Sequence, residues 1–442
     1  MSARSGTSAI RNPLDDRPLG SRQIVVLVLA VLLAALDGYD ALSMAFAAPS
    51  VAKDWGIGKG IIGLLLSSSL VGMAVGAIFL APLADRIGRR CVALSALGIL
   101  VVGAALSAVS RTVPHLAGAR LLTGVGIGVM VAMTTLLSAE FSNARSRSVA
   151  VAAVATIGFP LGGVIGGLAA SVILERASWH WVFGCGSIVG IVLLALISVT
   201  LPESPAFLTA RSGPNALARV NEVLARLNQP PLARLPEIAS GPRGNYAELF
   251  APSLRGTVAR LMAVASLIAC ASYYILNWLP ALAVDAGFSP AQGSLISAQS
   301  GTVGLIGGVF FAAFTARLEA KRVASTAMVG VAIALAAVGT VPASLASFVL
   351  TAGILSFCLA GSTGILYGLM STGFPTGLRA SGMGLIMGGM RIGSAAGPGL
   401  AGWMFAQDMT RASVSLIFAV GPLIAALLIR NLPSQEGAVH PR

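Results

Sequence analysis

The sequence predicts an all-α integral membrane protein of twelve spanning helices in two pseudo-symmetric six-helix bundles. Scarce charge, twelve long apolar stretches and a one-sided distribution of Lys and Arg carry that prediction. Only 10% of the 442 residues are charged and 56% are hydrophobic, where a soluble domain is about a quarter charged. Mean hydropathy is +0.87. A chain of this length holds twelve spans of about 20 residues with loops to spare. An ordinary soluble domain, a disordered chain, a coiled coil and collagen are excluded, and the lipid bilayer is the first partner implied.

A polar N-terminal tail, 1–22, contains Pro13 and Pro18 and no small-residue cleavage site, so no removed signal peptide is expected. The apolar stretches follow at about 23–48, 60–83, 91–110, 115–138, 148–171, 181–201, 257–284, 291–315, 323–342, 345–369, 380–404 and 411–431. The first six form an N-terminal bundle, 23–201. A polar central loop, 202–256, carries Arg211, Arg219, Arg226, Arg234, Arg243 and Arg255. Within it, the stretch after Pro214 has helical apolar spacing and reads as an amphipathic surface helix. The second bundle is 257–431 and a short tail, 432–442, ends the chain.

The net charge is +13 and the pI about 10.7. These basic residues punctuate apolar runs instead of clustering on one face, so no nucleic-acid partner is implied. With the N-terminus inside, 22 Lys and Arg fall on the cytoplasmic side and 5 outside, and Arg120 and Arg391 lie within spans. The positive-inside rule therefore puts both termini in the cytoplasm. Cys91, Cys185, Cys270 and Cys358 sit singly in apolar runs, and His115, His180 and His440 are scattered. Neither a disulfide framework nor a metal site is indicated. No phosphate-binding Gly-x-x-x-x-Gly-Lys-Ser/Thr loop occurs, so ATP is not the energy source and no cofactor is expected beyond a coupling proton.

An internal repeat supports two related halves. Gly76 to Arg90 aligns without gaps on Gly308 to Arg322, sharing Gly, Phe, two Ala and a basic pair (Arg89-Arg90, Lys321-Arg322) at the same helix end. Parallel repeats of this kind are related by an axis along the membrane normal.

Charges inside spans are the candidates for chemistry. Asp37 and Asp40, at i and i+3, share one side of the first helix. Each must be protonated, paired or facing water, and two so close titrate as a coupled pair. Proton coupling or gating is one reading and a structural ion pair the other. Counting ~1.5 Å per residue, Asp40 lies ~24 Å up from the cytoplasmic edge and Arg120 ~7 Å below the outer edge, at nearly the same level of a ~30 Å core. Arg120 is thus expected to pair with Asp40 or Asp37, or else to snorkel to the interface. Arg391, ~16 Å deep in the eleventh stretch, is near the midplane, where transporters hold substrate. Its planar fork suits a carboxylate; a fixed salt bridge is the alternative. Small-residue faces in the fifth stretch (Gly158, Gly162, Gly163, Gly166, Gly167) and the eleventh (Gly393, Gly397, Gly399) allow close approach and rocking. Tyr39, Phe159, Tyr273, Tyr274, Trp278 and Tyr367 could stack on a substrate ring or anchor the interface.

Ala81-Pro-Leu-Ala-Asp85-Arg86-Ile-Gly88-Arg89-Arg90 resembles the signature loop of the major facilitator superfamily, with Ala81 where the pattern has Gly. The resemblance implies that Asp85, Arg86, Arg89 and Arg90 latch the cytoplasmic side, with Asp85 facing the start of the eleventh helix. Further stretches resemble its aromatic acid:proton symporter family, over residues 20 to 430: Asp37-Gly-Tyr-Asp40; Arg120 through Glu140; Gly158-Phe159-Pro-Leu-Gly-Gly; Asn277-Trp278-Leu-Pro280; and Phe374 through Arg379 to Gly393. Position by position this implies that Asp37, Asp40, Glu140, Arg120, Arg379 and Arg391 matter for transport. Pro202-Glu203-Ser204-Pro205 is similar to the helix 6 ending of sugar porters.

The combined expectation is a bacterial inner-membrane, multi-pass proton symporter, not an enzyme, importing a small aromatic carboxylate of the hydroxybenzoate type by alternating access. A monomer is expected. Asp37 and Asp40 would carry the proton. Arg391, with Arg120, Tyr39, Phe159, Tyr273 and Trp278, would bind substrate. Asp85, Arg86, Arg89, Arg90, Glu140 and Arg379 would gate. A symporter for an aliphatic acid, a drug:proton antiporter and a non-transporting sensor of the same acids are the alternatives.

Overall fold

In the computed structural model, residues 12–211, 215–236, 246–315, 318–342, 344–375 and 378–432 are described. Arg243, Arg317 at the end of the repeat, and the tail with His440 and Arg442 lie outside them. Twelve long helices form: α1 Ser21–Trp55, α2 Lys59–Ile87, α3 Arg89–Ala108, α4 Val113–Glu140, α5 Arg147–Arg176, α6 His180–Thr200, α7 Arg255–Asp285, α8 Pro290–Thr315, α9 Ala320–Thr340, α10 Leu345–Thr372, α11 Arg379–Ala406 and α12 Arg411–Arg430. No strand occurs among the described residues, as a bilayer demands of backbone groups that must pair within their own segment.

Eleven of the twelve are long and apolar enough to cross a membrane. The remaining one, α11, has the length but carries Arg391 and a run of glycines and small residues. Several helices, among them α1, α4, α5 and α7, outrun their apolar stretches by a few residues because their ends enter the polar interface. Thus α1 passes Pro49 and stops at Gly56, whose φ of 62° ends the helix. Two helices contain π segments, Gly76–Leu80 in α2 and Val154–Gly158 in α5.

The halves repeat one packing pattern: α1 on α5, α2 on α4 and α3 on α6 correspond to α7 on α11, α8 on α10 and α9 on α12. Glycine ladders set the first of these contacts. Gly158, Gly162 and Gly166 of α5 lie on Ala34, Ala35 and Tyr39 of α1. Gly389, Gly393 and Gly397 of α11 lie on Met262, Ser266 and Cys270 of α7 in the same way. A Cβ on Gly162 would stand 1.8 Å from the Ala35 carbonyl oxygen, and on Gly393 2.2 Å from that of Ser266. Lipid offers no hydrophobic drive between helices, so van der Waals contact at such approaches holds them together.

Between the halves, α2 meets α11 and α5 meets α8. Gly60 and Gly63 approach Ala406 and Gly402, Ser67 approaches Gly399, and Gly167 lies on Ser294 and Ala298. Lys59 pairs with Asp285 at 2.7 Å. All these contacts lie toward one face, here the far face, opposite the central segment. Following the α11 stripe 406, 402, 399 by helical steps leads to 395 and then to 391 and 392. There Ile392 is 73% exposed, and on α8 Val309 is 74% exposed. The seam is shut at the far face and parts toward the basic face.

On the basic face a staple joins three segments of the first half. Asn143 donates from Nδ2 to the Arg17 carbonyl, Gln23 donates to that of Phe141, and Arg147 pairs with Asp15. The amphipathic helix Ala216–Arg226 buries Val220, Val223 and Leu224 against the same core. Arg22 donates to the Arg226 carbonyl and Gln229 to that of Pro18.

Candidate functional site

Asp37, Asp40 and Arg120 are all essentially unexposed inside the first half, at 1%, 0% and 0%. Asp40 and Arg120 meet because α1 and α4 cross where depth arithmetic puts both residues. The Arg120 guanidinium stands 3.7 Å from Asp40 Oδ1, too far for a hydrogen bond. Its Nη1 donates instead to Ser43 Oγ at 2.6 Å and reaches the Asp40 carbonyl at 3.4 Å. The Ser43 hydroxyl itself donates to the same carbonyl at 2.7 Å. The plane of Arg120 lies over Phe183, 4.9 Å from the ring centre, an attractive contact for a desolvated cation.

The expected pairing therefore occurs at Asp40 and is loosened by Ser43, while Asp37 stands apart. Neither Asp37 oxygen has a hydrogen-bond partner, nor do the Asp40 carboxylate oxygens or Arg120 Nε and Nη2. A partnerless carboxyl in an apolar span needs a proton or water. The equivalent positions on α7 and α10 hold no charge.

Across the seam, Arg391 is half-buried on α11. Among the described residues it has no ion pair, and only its backbone carbonyl is engaged, by Ser394. Tyr367 of α10 lies within electrostatic reach of Arg391 and of Tyr273 on α7. Tyr273 packs on the core of the first half, as Phe159 does at the junction of the α5 π segment. Phe159 owes its place to Gly38, where a Cβ would stand 2.0 Å from the Phe159 carbonyl oxygen. An unpaired guanidinium can hold a planar carboxylate bidentately.

Tyr39 and Trp278 are placed elsewhere. The Tyr39 hydroxyl donates to the Val182 carbonyl at 2.5 Å inside the first half. Trp278 is 1% exposed, donates to the Pro398 carbonyl at 3.0 Å and packs on Phe405. Arg120 is likewise enclosed with Asp40 and is not brought together with Arg391.

At the basic face Arg89 is the hub. It pairs with Asp85 at 2.9 Å and with Glu140 at 3.3 Å, and lies over Phe207. The Asp85 carboxylate is 76% exposed, and its ion pair is made within its own half. Arg86 and Arg379 are exposed at the ends of α2 and α11, and Arg90 donates to the Ser198 carbonyl. A cavity of about 290 Å³ lies beside Arg89, Glu140 and Arg147, under Asn12, well apart from Arg391.

Sequence reasoning missed Glu203 and Ser43. The Glu203 carboxylate accepts from the backbone N–H of Arg89 at 2.8 Å and Arg90 at 3.2 Å, capping α3 from a distant segment. Gly88 makes room for it: its φ is 106°, and a Cβ there would lie 2.3 Å from Glu203 Oε2. The Pro-Glu-Ser-Pro run was the available signal. For Ser43 the sequence offers none, since a serine in a span is common.

The geometry has parallels in known proteins. The chain is 30% identical to the 4-hydroxybenzoate transporter PcaK of Pseudomonas aeruginosa, over 96% of each chain. It is 29% identical to the gallate transporter of Pseudomonas putida, over 95% of this chain and 94% of that one. It is 28% identical to the 3-(3-hydroxy-phenyl)propionate transporter of Escherichia coli, over 95% and 96%. Its fold matches the xylose transporter XylE of E. coli in a partially occluded inward-open conformation, with a TM-score of 0.75 at 17% identity, covering 95% of this chain and all of that one. The family model of the Major Facilitator Superfamily matches residues 27–289 and 261–442. The chain thus belongs to the Major Facilitator Superfamily.

Proposed function

We propose that this protein is a proton-coupled symporter that imports a hydroxylated aromatic carboxylate across a bacterial inner membrane by alternating access. One observation carries the reading: two carboxyls without hydrogen-bond partners are enclosed in one half, and the other half presents an unpaired, half-buried arginine on α11. Arg391 would hold the carboxylate, Tyr273 and Phe159 would bear on the ring, and Asp37 with Asp40 would carry the proton. Arg120 acts through Asp40 in this scheme. The transport of aromatic acids named for several relatives supports the substrate class.

The excess of Lys and Arg supports placing the basic face, and both termini, in the cytoplasm. The parted seam then corresponds to release into the cell. Asp85, Arg86, Arg89, Arg90, Glu140 and Arg379 sit where that opening would close. Closure would bring α2 and α11 together at that end, while the small-residue contacts at the far face come apart. The domain limits 23–201 and 257–431 mark the two rocking bodies; between them the helix Ala216–Arg226 packs on the first and Leu249 on the core of the second.

The test is uptake of labelled 4-hydroxybenzoate into proteoliposomes under an inward proton gradient. Accumulation that collapses with a protonophore, and in Asp37→Asn and Arg391→Ala, supports the reading. Absence of uptake by folded wild-type protein contradicts it.

A further inference from the structure

The polar tips of the aromatic side chains separate them into two groups. Tyr39 and Trp278 donate to backbone carbonyls, and Tyr274 shares a hydrogen bond of 2.9 Å with Ser415. These hydroxyl and indole groups are spent on the fold. The Tyr367 hydroxyl is not: its one partner is the thioether of Met390, 4.0 Å away, and a thioether is a weak acceptor. The side chain is half-buried, so its phenol keeps the capacity for a stronger hydrogen bond to a group arriving from outside the protein.

Met390 is the neighbour of Arg391 in sequence, and Tyr367 lies within electrostatic reach of Arg391 and Tyr273. The Tyr273 side chain has no hydrogen-bond partner among the described residues either. Met390 touches the Tyr367 hydroxyl, and Met262, Met383 and Met387 pack with Tyr367 on the core of the second half. Thioethers make adaptable, favourable contacts with aromatic rings. The second half thus places near one another a cation without an ion pair, a thioether and a phenol whose hydrogen-bonding capacity is largely unused.

We propose that Tyr367 is a specificity-determining residue that hydrogen-bonds the ring hydroxyl of the bound acid, so that the protein selects hydroxylated over unsubstituted aromatic carboxylates. The inference rests on the symporter reading above and assigns a role within its site. A site built to pair with a substrate hydroxyl discriminates strongly against the analogue that lacks it, because the protein's own polar group is then left unpaired. Removing the protein's half of that hydrogen bond removes the discrimination and spares the analogue.

Reconstituted wild type and Tyr367→Phe are compared for uptake of labelled 4-hydroxybenzoate and labelled benzoate, each as maximal rate over half-saturation concentration. Wild type favours the hydroxylated acid by roughly tenfold or more. In Tyr367→Phe that ratio falls at least fivefold through loss of 4-hydroxybenzoate transport, with benzoate uptake within twofold of wild type, which also shows that the variant is folded. If the variant moves neither acid, the same ratio is read from binding to the purified protein by thermal shift. An unchanged ratio in transport or binding overturns this assignment alone, whereas wild type that takes up neither acid overturns the symporter reading and this inference with it.

Discussion

Asp40→Asn removes the anion beside a guanidinium that has no solvent exposure. At the 3.7 Å separation and an effective dielectric of about 20, the Coulomb attraction is about 4.5 kcal/mol. Arg120 keeps Ser43, the backbone carbonyl of residue 40 and the Phe183 ring, so the expected net loss is about 3–4 kcal/mol, the usual cost of stranding one member of an enclosed pair. Arg120→Gln strands Asp40 beside Asp37 and should cost a similar amount. The double variant Asp40→Asn/Arg120→Gln strands no charge and should recover at least about 2 kcal/mol relative to the sum of the singles. Thermal denaturation of the purified protein in detergent reads this as several degrees of midpoint. Uptake in liposomes adds a second reading: the double variant is stable yet fails to accumulate substrate. Additive losses in the double variant would refute the claim that Asp40 and Arg120 act as a pair.

Ser43→Ala deprives Arg120 Nη1 of its 2.6 Å acceptor and lets the guanidinium close on Asp40; proton-driven uptake should fall severalfold while exchange of labelled for unlabelled substrate persists, and equal loss of both would contradict a role in coupling. Gly393→Leu would place a Cβ 2.2 Å from the Ser266 carbonyl oxygen, whereas Gly98 has nothing within 4 Å. The first should cost more than about 3 kcal/mol, whereas Gly98→Ala, inside α3 with open space for its methyl, should gain about 0.5–1 kcal/mol from helix propensity in the same thermal denaturation. Glu203→Ala removes the acceptor from the first two N–H groups of α3 and should cost about 1–2 kcal/mol by the same denaturation measurement.

The spans and the charged site were legible because the bilayer makes exceptions conspicuous. Asp37, Asp40, Arg120 and Arg391 stand out in stretches otherwise free of charge, and helical rise alone put Arg120 level with Asp40. The side-chain partners were not legible. Trp278 and Tyr39 have the composition of ring-binding residues, but a backbone carbonyl within reach decides what a polar tip does, and that depends on the crossing of α6 and α11 with their neighbours. The capping of α3 by Glu203 spans 114 residues of sequence, and no local pattern encodes it. The close helix approaches were visible as small-residue runs, while their register, Gly162 on Ala35 and Gly393 on Ser266, follows from packing. Helix α11 shows the reverse case: its glycines and Arg391 make it poor in apolarity, and these features suit it to a seam that opens.

Conformational change in this arrangement needs no reshaping of the bundles. The glycine ladders lock α1 to α5 and α7 to α11 within their halves, so in the proposed cycle each half would move as a packed body. The staple of residues 12–23 and the helix Ala216–Arg226 ties the basic face of the first half together and makes its hydrogen bonds within that half. The π segments of α2 and α5 lie in the seam-forming helices toward the basic face, where such irregularities commonly mark moving parts.

Proton movement driven by substrate is the most direct test of the central claim. Adding 4-hydroxybenzoate to lightly buffered proteoliposomes, with no imposed gradient and the external pH recorded, should alkalinise the medium as each carboxylate enters with its proton, and the signal should vanish in Asp37→Asn. Uptake of the labelled acid with no accompanying pH change in wild type would contradict proton-coupled symport.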